Sequence, residues 1–177
     1  MQPLVPRRSL RSPAARRQAG FTLVELVTVI LILGVLAAVA LRRYSDLQGK
    51  AREAKVKAVT GSMKAAAAMV KATAMANSVS CGAASGTSAS LEGLSIALNY
   101  CYPQALGGFG TGILGASNVV AADNWAVDGT FAGAATAAAV LQINLIDAIS
   151  PASCSVSYTS AANATTPPVI TAVVTGC

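Results

Sequence analysis

Residues 21–41 read FTLVELVTVILILGVLAAVAL, an apolar run of 21 residues in which Glu25 is the single charge. At ~1.5 Å of rise per residue this makes about 31 Å of helix, enough to cross a hydrocarbon layer of ~30 Å. The β-branched residues do not argue against helix, because in lipid the backbone must satisfy its own hydrogen bonds. A buried core helix is the competing reading, and the length of the run disfavours it. Such a run needs either a membrane or the apolar faces of other chains.

Composition agrees. Of the 177 residues 54% are hydrophobic and only 11% charged, well outside ordinary globular proportions. The formal charge of +6 suggests a polyanion partner until its distribution is considered. Arg7, Arg8, Arg11, Arg16 and Arg17 lie in the first 20 positions, and the remaining Lys and Arg fall between Arg42 and Lys71. From Ala72 to Cys177 there is no Lys or Arg, while Glu92, Asp123, Asp128 and Asp147 remain. An acidic C-terminal region is a poor surface for counterion release, so no nucleic-acid partner is expected there. Basic residues flank the apolar run on both sides, so the charge rule does not orient it.

Residues 1–20 are basic, contain proline and have no apolar stretch of their own, unlike an ordinary secretory signal. Beyond the run, Leu47, Ala51, Ala54, Ala58, Gly61, Ala65, Ala68, Ala72 and Met75 recur at alternating spacings of four and three, one face of a continuing helix. Val56, Val59, Met63 and Val70 are expected to widen that stripe. Two uses are open for it: packing on the chain's own sheet, which is favoured, or packing on neighbouring subunits. The organisation expected is therefore a basic leader over 1–20, one long helix over 21–75 and a head over 76–177. Within the head, 81–90 reads as a loop, 91–98 as a short helix and 101–103 as a turn. Residues 140–149 are ambiguous between strand and helix. Two β-rich runs, 154–159 and 169–175, bracket a linker of turn formers and predict a terminal hairpin.

Catalytic chemistry finds little support. Histidine is absent, which removes the commonest general base and transition-metal ligand. No metal or cofactor site is expected: Asp123 and Asp128 flank Trp125 but would supply at most half of a calcium shell. Asn163-Ala-Thr165 fits a glycosylation acceptor, a motif short enough to arise by chance. The four cysteines, Cys81, Cys101, Cys154 and Cys177, contain no C-x-x-C pair. Their even number and spacing suggest two disulfides and an oxidising compartment, placing the head outside the cytoplasm.

The junction Gln18-Ala19-Gly20-Phe21-Thr22-Leu23-Val24-Glu25-Leu26 resembles the processing site of type IV prepilins. That resemblance implies an α+β, type IV pilin-like fold, with a long N-terminal helix on an antiparallel head bearing a disulfide-bounded loop. It implies cleavage between Gly20 and Phe21 by a prepilin peptidase and N-methylation of Phe21. It further implies a single-pass precursor in the inner membrane, then assembly into an extracellular homo-oligomeric filament by the pilus machinery. Tyr44-Ser-Asp-Leu-Gln48, Ala51-Arg-Glu-Ala54, Gly61-Ser-Met63, Tyr102-Pro103, Asp123-Asn-Trp125 and the Cys154…Cys177 ending are similar to the mannose-sensitive haemagglutinin branch. Residues 107–145 match that branch only loosely. Four cysteines permit three pairings. The likeness to a pilin's C-terminal loop, with the terminal hairpin, favours Cys154–Cys177 and implies Cys81–Cys101 for the other two. Many pilins carry proline where this chain has Arg42, which leaves Gly34 as the weak point of the helix.

Glu25 then acquires a role. A carboxylate in hydrocarbon costs about 2.5–3.5 kcal/mol on insertion scales, so something must offset it. Cleavage after Gly20 creates an α-amine on Phe21, a cation near neutral pH. Paired between neighbouring subunits, amine and carboxylate would neutralise each other and set the axial stagger of the stacked helices. The filament-assembly residues expected are thus Phe21, Glu25 and Gly34. The function expected is a structural pilus subunit serving adhesion, surface attachment or motility. Two alternatives remain: a pseudopilin in a secretion-system piston filament, and a monomeric membrane-anchored periplasmic domain.

Overall fold

A computed structural model describes residues 20–82 and 84–177; the expected leader, apart from Gly20, lies outside the described residues. Contacts divide the chain into two units, Met1–Arg42 and Arg43–Cys177. The first helix, α1 (Leu23–Ala76), is continuous through the boundary and contributes 54 residues.

In the first unit every described residue is exposed, including the whole apolar run. Helix is maintained there by the backbone ladder alone, with Thr28 Oγ1 returning its proton to the carbonyls of Val24 at 2.9 Å and Glu25 at 3.0 Å. That back-bonding removes an unsatisfied hydroxyl from a greasy surface. Gly34 sits inside the unbroken helix.

In the second unit the remainder of α1 covers two antiparallel sheets. One has three strands in the order β1 (Thr87–Leu91), β2 (Leu94–Asn99) and β3 (Tyr102–Pro103). The other has five, running β4 (Ala105–Leu106), β5 (Trp125–Ala134), β6 (Val140–Leu145), β7 (Ser155–Thr159) and β8 (Val169–Val173). A short helix, α2 (Gly112–Ala116), lies between β4 and β5 in the chain. Met63, Ala66, Ala67 and Val56 of α1 join Trp125, Leu141, Ile143, Leu145, Val156 and Tyr158 in the larger core. One and two turns further on, Val70 and Ala74 pack with Ala89, Ile96, Leu98 and Cys101 over the smaller sheet. Each large aliphatic side chain so buried contributes about 1.5–3 kcal/mol.

The face of α1 that packs is not the expected one. Ala51, Ala54, Ala58, Gly61, Ala65, Ala68, Ala72, Leu47 and Met75 are all exposed, whereas Val56, Met63 and Val70 are buried. Two residues along a helix turn the chain through about 200°, so Val56 and Ala58, or Gly61 and Met63, point in nearly opposite directions. The valines and methionine therefore form a second face rather than a wider version of the first. The favoured packing of the small-residue stripe on its own sheet is incorrect.

The helix ends in a Schellman arrangement: Val79 N–H reaches the Ala74 carbonyl at 2.9 Å and Ser78 N–H reaches Met75 at 3.1 Å. Ser78 takes the left-handed conformation, φ 55°, that glycine usually fills.

The expected short helix over 91–98 is instead the β1–β2 hairpin. Leu91 faces Leu94 across Glu92 and Gly93, whose φ values of 50° and 84° make the type of turn that matches strand twist. Part of the expected loop over 81–90 is accordingly β1. The turn expected at 101–103 falls one residue earlier, on Tyr100 and Cys101 with φ 52° and 67°, and Tyr102–Pro103 is already strand. The ambiguous segment resolves as strand over Val140–Leu145, its burial alternating along the chain. The terminal hairpin is present, with Tyr158 opposite Ile170 and Val156 opposite Ala172. Between β4 and β5 the backbones approach so closely that a Cβ on Gly133, φ +74°, would lie 2.2 Å from the Ala105 carbonyl oxygen.

Disulfides join Cys81 to Cys101 and Cys154 to Cys177, each with Cα atoms 4.9 Å apart. The first ties the segment after α1 to the β2–β3 turn. The second ties the end of β8 to the start of β7. Loops of this length contribute roughly 3 kcal/mol apiece in the chain-entropy account.

Candidate functional site

The N-terminal end of α1 is a capping box. Thr22 precedes the first helical residue, and Glu25 stands three positions later. Thr22 N–H and Thr22 Oγ1 donate to Glu25 Oε2 at 3.1 and 3.0 Å, while Glu25 N–H donates to Thr22 Oγ1 at 3.3 Å. Each side chain thus satisfies a backbone donor that the first turn leaves without a helical partner. The Thr-x-x-Glu pattern is the sequence signal for this cap, and it gives Glu25 a partner nearer than the expected Phe21 amine. Negative charge in the first turn also complements the helix dipole.

The structure therefore brings Glu25 to Thr22. In the intact chain Phe21 has a peptide nitrogen, so the α-amine expected to pair with Glu25 exists only after a cut following Gly20. Both hydrogen bonds to the carboxylate use Oε2, which leaves Oε1 without a hydrogen bond among the described residues. Every residue from Gly20 to Gln48 is exposed, and the first half of α1 is long and apolar enough to cross a membrane.

The head holds its other polar groups for structural ends. Asp128 Oδ1 accepts from Thr130 N–H at 2.8 Å, and its Oδ2 accepts from Asn144 Nδ2 at 2.9 Å. The Asn144 amide, followed by Thr130 N–H, holds this carboxyl below the ordinary aspartate value. It thereby closes the irregular turn of β5, where register shifts between Val127 and Ala132. The carbonyl of Asp123 accepts from Lys55 Nζ, which also lies 5.8 Å from the centroid of the Trp125 ring. Asn163 Oδ1 is occupied by Thr165 N–H, Thr165 Oγ1 and Thr166 N–H at 2.8–3.0 Å. Among the described residues no three of His, Cys, Asp and Glu come together to hold a metal ion.

Two ties carry no sequence signal: one holds the disulfide-bounded end on α1 and the other joins the two sheets. Arg52 Nη1 donates to the Cys177 carbonyl at 3.2 Å. Tyr158, with its ring buried, donates from its hydroxyl to the Pro103 carbonyl at 2.7 Å, linking the larger sheet to the smaller. Burial raises the pKa of that phenol. Buried Gln104 and Asn99 make a second link, running through Leu98 and Thr136.

Residues 15–41 match the family model described as the prokaryotic N-terminal methylation motif. Over 53 residues the chain is 43% identical to the type IV narrow pilus major component of Thermus thermophilus, covering 30% of this chain and 46% of that protein. Over 49 residues it is 41% identical to a type IV major fimbrial protein of Dichelobacter nodosus, covering 28% of this chain and 31% of that one. A fimbrial protein of Eikenella corrodens is 50% identical over 50 residues, again covering 28% and 31%. The chain spans less than half the length of each of these curated relatives. No solved structure gives a significant match. The architecture, a long N-terminal helix with antiparallel sheets and two disulfides, is α+β and consistent with the type IV pilin fold.

Proposed function

We propose that this chain is the precursor of a structural subunit of a type IV pilus filament. The observation that carries the reading is Glu25, held at the first turn of an exposed apolar helix within the segment matching the N-terminal methylation motif. A carboxylate there is costly in lipid; the two Thr22 donors offset part of that cost, and the cation that processing would supply offsets more. A prepilin peptidase removes residues 1–20, leaving Phe21 as the methylated N-terminus. The helix over 21–41 holds the subunit in the inner membrane until the assembly machinery extracts it. In the filament the Phe21 amine of one subunit meets Glu25 of its neighbour, using the oxygen that Thr22 leaves free. Gly34 is the point at which this helix yields most readily.

The mature organisation in this reading is a helix over 21–75 and a head over 76–177, exposed on an extracellular fibre. Its acidic, Ser- and Thr-rich surface serves adhesion, attachment or motility, and the haemagglutinin branch is the subgroup that the quoted motifs favour. The experiment is to shear cells producing the chain and probe the released fibres. Intact fibres containing the chain are expected. Material confined to the periplasm would indicate a secretion piston, and membrane-bound monomer would overturn filament assembly altogether.

A further inference from the structure

One groove in the head-bearing unit lies between α1 and the approach to β8, with a volume of about 410 Å³. Its apolar wall includes Ala68, Met75, Pro168 and Ile170, and Lys64 stands at its lip. Lys71 and Tyr102 also line it, with the Lys71 ammonium engaged 2.8 Å from the Tyr102 hydroxyl and 4.5 Å from the ring centroid. Lys64 has no ion-pair or hydrogen-bond partner among the described residues. The volume is within the range of small-ligand clefts, ~300–1,000 Å³, and so admits an aliphatic side chain.

The same unit carries a matching projection. The loop after β6 reads Ile146-Asp147-Ala148-Ile149, with Ile146 57% and Ile149 86% exposed. Together they make a small apolar projection on the surface of the head. Asp147 between them also has no partner among the described residues. The loop is held firmly: Ser150 N–H reaches the Gly176 carbonyl at 3.0 Å, and Gly176 N–H reaches Ser153 at 2.9 Å. A Cβ on Gly176 would come within 2.6 Å of Ser150 O, so the two segments interlock.

We propose that Ile149 and Asp147 of one copy dock into the Lys64–Met75 groove of a second copy. The inference rests on the filament reading. Complementarity supports it: an acid set between two isoleucines meets a free ammonium at the edge of an apolar cleft. The axial placement supports it too. The projection adjoins the Cys177 end, which Arg52 of α1 holds, while the groove is centred near Ala68. Those positions are 16 residues apart, about 24 Å along a helix. Knob and groove are therefore displaced along α1, so copies running in the same direction, as in the filament reading, can join them only by an axial shift that sets one copy's knob in the next copy's groove. A contact of this heterologous kind propagates into an open helical array.

The test uses the full chain in cells that assemble fibres. p-Benzoylphenylalanine replaces Ile149, and light-induced adducts are mapped by peptide analysis. The expected product is a homodimer joined between the Ile149 site and residues 64–75 or 167–170. In parallel, Asp147→Lys should cut the sheared-fibre yield several-fold, and Lys64→Asp in the same chain should restore it. Adducts to another protein, to lipid or to a different part of the chain would overturn the contact. So would full fibre yield from Asp147→Lys together with absence of dimer. If the unaltered chain sheds fibres and Glu25→Gln does not, the filament reading stands even when this contact falls. If the unaltered chain sheds none, both fall.

Discussion

The Glu25 carboxylate and the Thr22 hydroxyl lie 3.0 Å apart, and each caps a backbone donor of the other. The acid therefore has two separable duties. One is local, shared with Thr22, and needs an acceptor oxygen. The other is between subunits and needs a negative charge.

Glu25→Gln separates them, since glutamine serves in a capping box as glutamate does. The variant should retain slowed exchange of the Thr22 and Glu25 amides in detergent, yet release little or no sheared fibre. Thr22→Ala should do the reverse, fraying the first turn by about 0.5–2 kcal/mol while fibres still form. Normal fibre yield from Glu25→Gln would remove the charge pair from the account.

The two faces of α1 predict opposite sensitivities. Met63→Ala opens a cavity beneath the larger sheet and should destabilise the head by about 2–5 kcal/mol, read from its urea midpoint. Ala65→Ser, on the exposed stripe, should change the same midpoint by less than about 0.5 kcal/mol. Equal losses would show that the stripe is packed after all.

Tyr158→Phe keeps the ring in the core and removes the hydroxyl donated to Pro103. That leaves a buried carbonyl without its donor, for an expected loss of about 1–3 kcal/mol with little change in the slope of denaturant unfolding. A wild-type midpoint would mean that the bond does not join the sheets.

Asp128 sets a pH dependence. Its folded pKa is lowered, mainly by the Asn144 amide, so the folded head binds this proton less readily than the unfolded chain. The stabilisation is complete above the ordinary aspartate value, ~3.9, and is lost as pH falls through the lowered folded value. Asp128→Ala should therefore lower the melting temperature at pH 7 and narrow its difference from wild type in acid. A difference that grows in acid would contradict this sign.

Reducing both disulfides should lower the head's stability by several kcal/mol, since each closes a loop worth roughly 3 kcal/mol. Non-reducing peptide maps should contain Cys81–Cys101 and Cys154–Cys177 fragments. A Cys81–Cys154 fragment would overturn the pairing.

What the sequence determined by itself is local and strongly patterned. A 21-residue apolar run has no use but helix in a greasy setting, and Glu25 is marked by being its single charge. The β-rich runs 154–159 and 169–175 likewise required little context to become β7 and β8. Tertiary structure decided the rest. Along α1 two faces are apolar enough to pack, one of small residues and one of Val56, Met63 and Val70. Val56 and Met63, with Ala66 and Ala67 beside them, pack against Trp125 and Leu141, so that face turned inward and the regular stripe turned out. The segment 91–98 has helical-looking spacing, but Glu92 and Gly93 accept positive φ and Ile96 and Leu98 find cover beneath Val70 and Ala74. Burial against a partner distant in sequence outweighs local propensity, and no reading of one short window contains that partner.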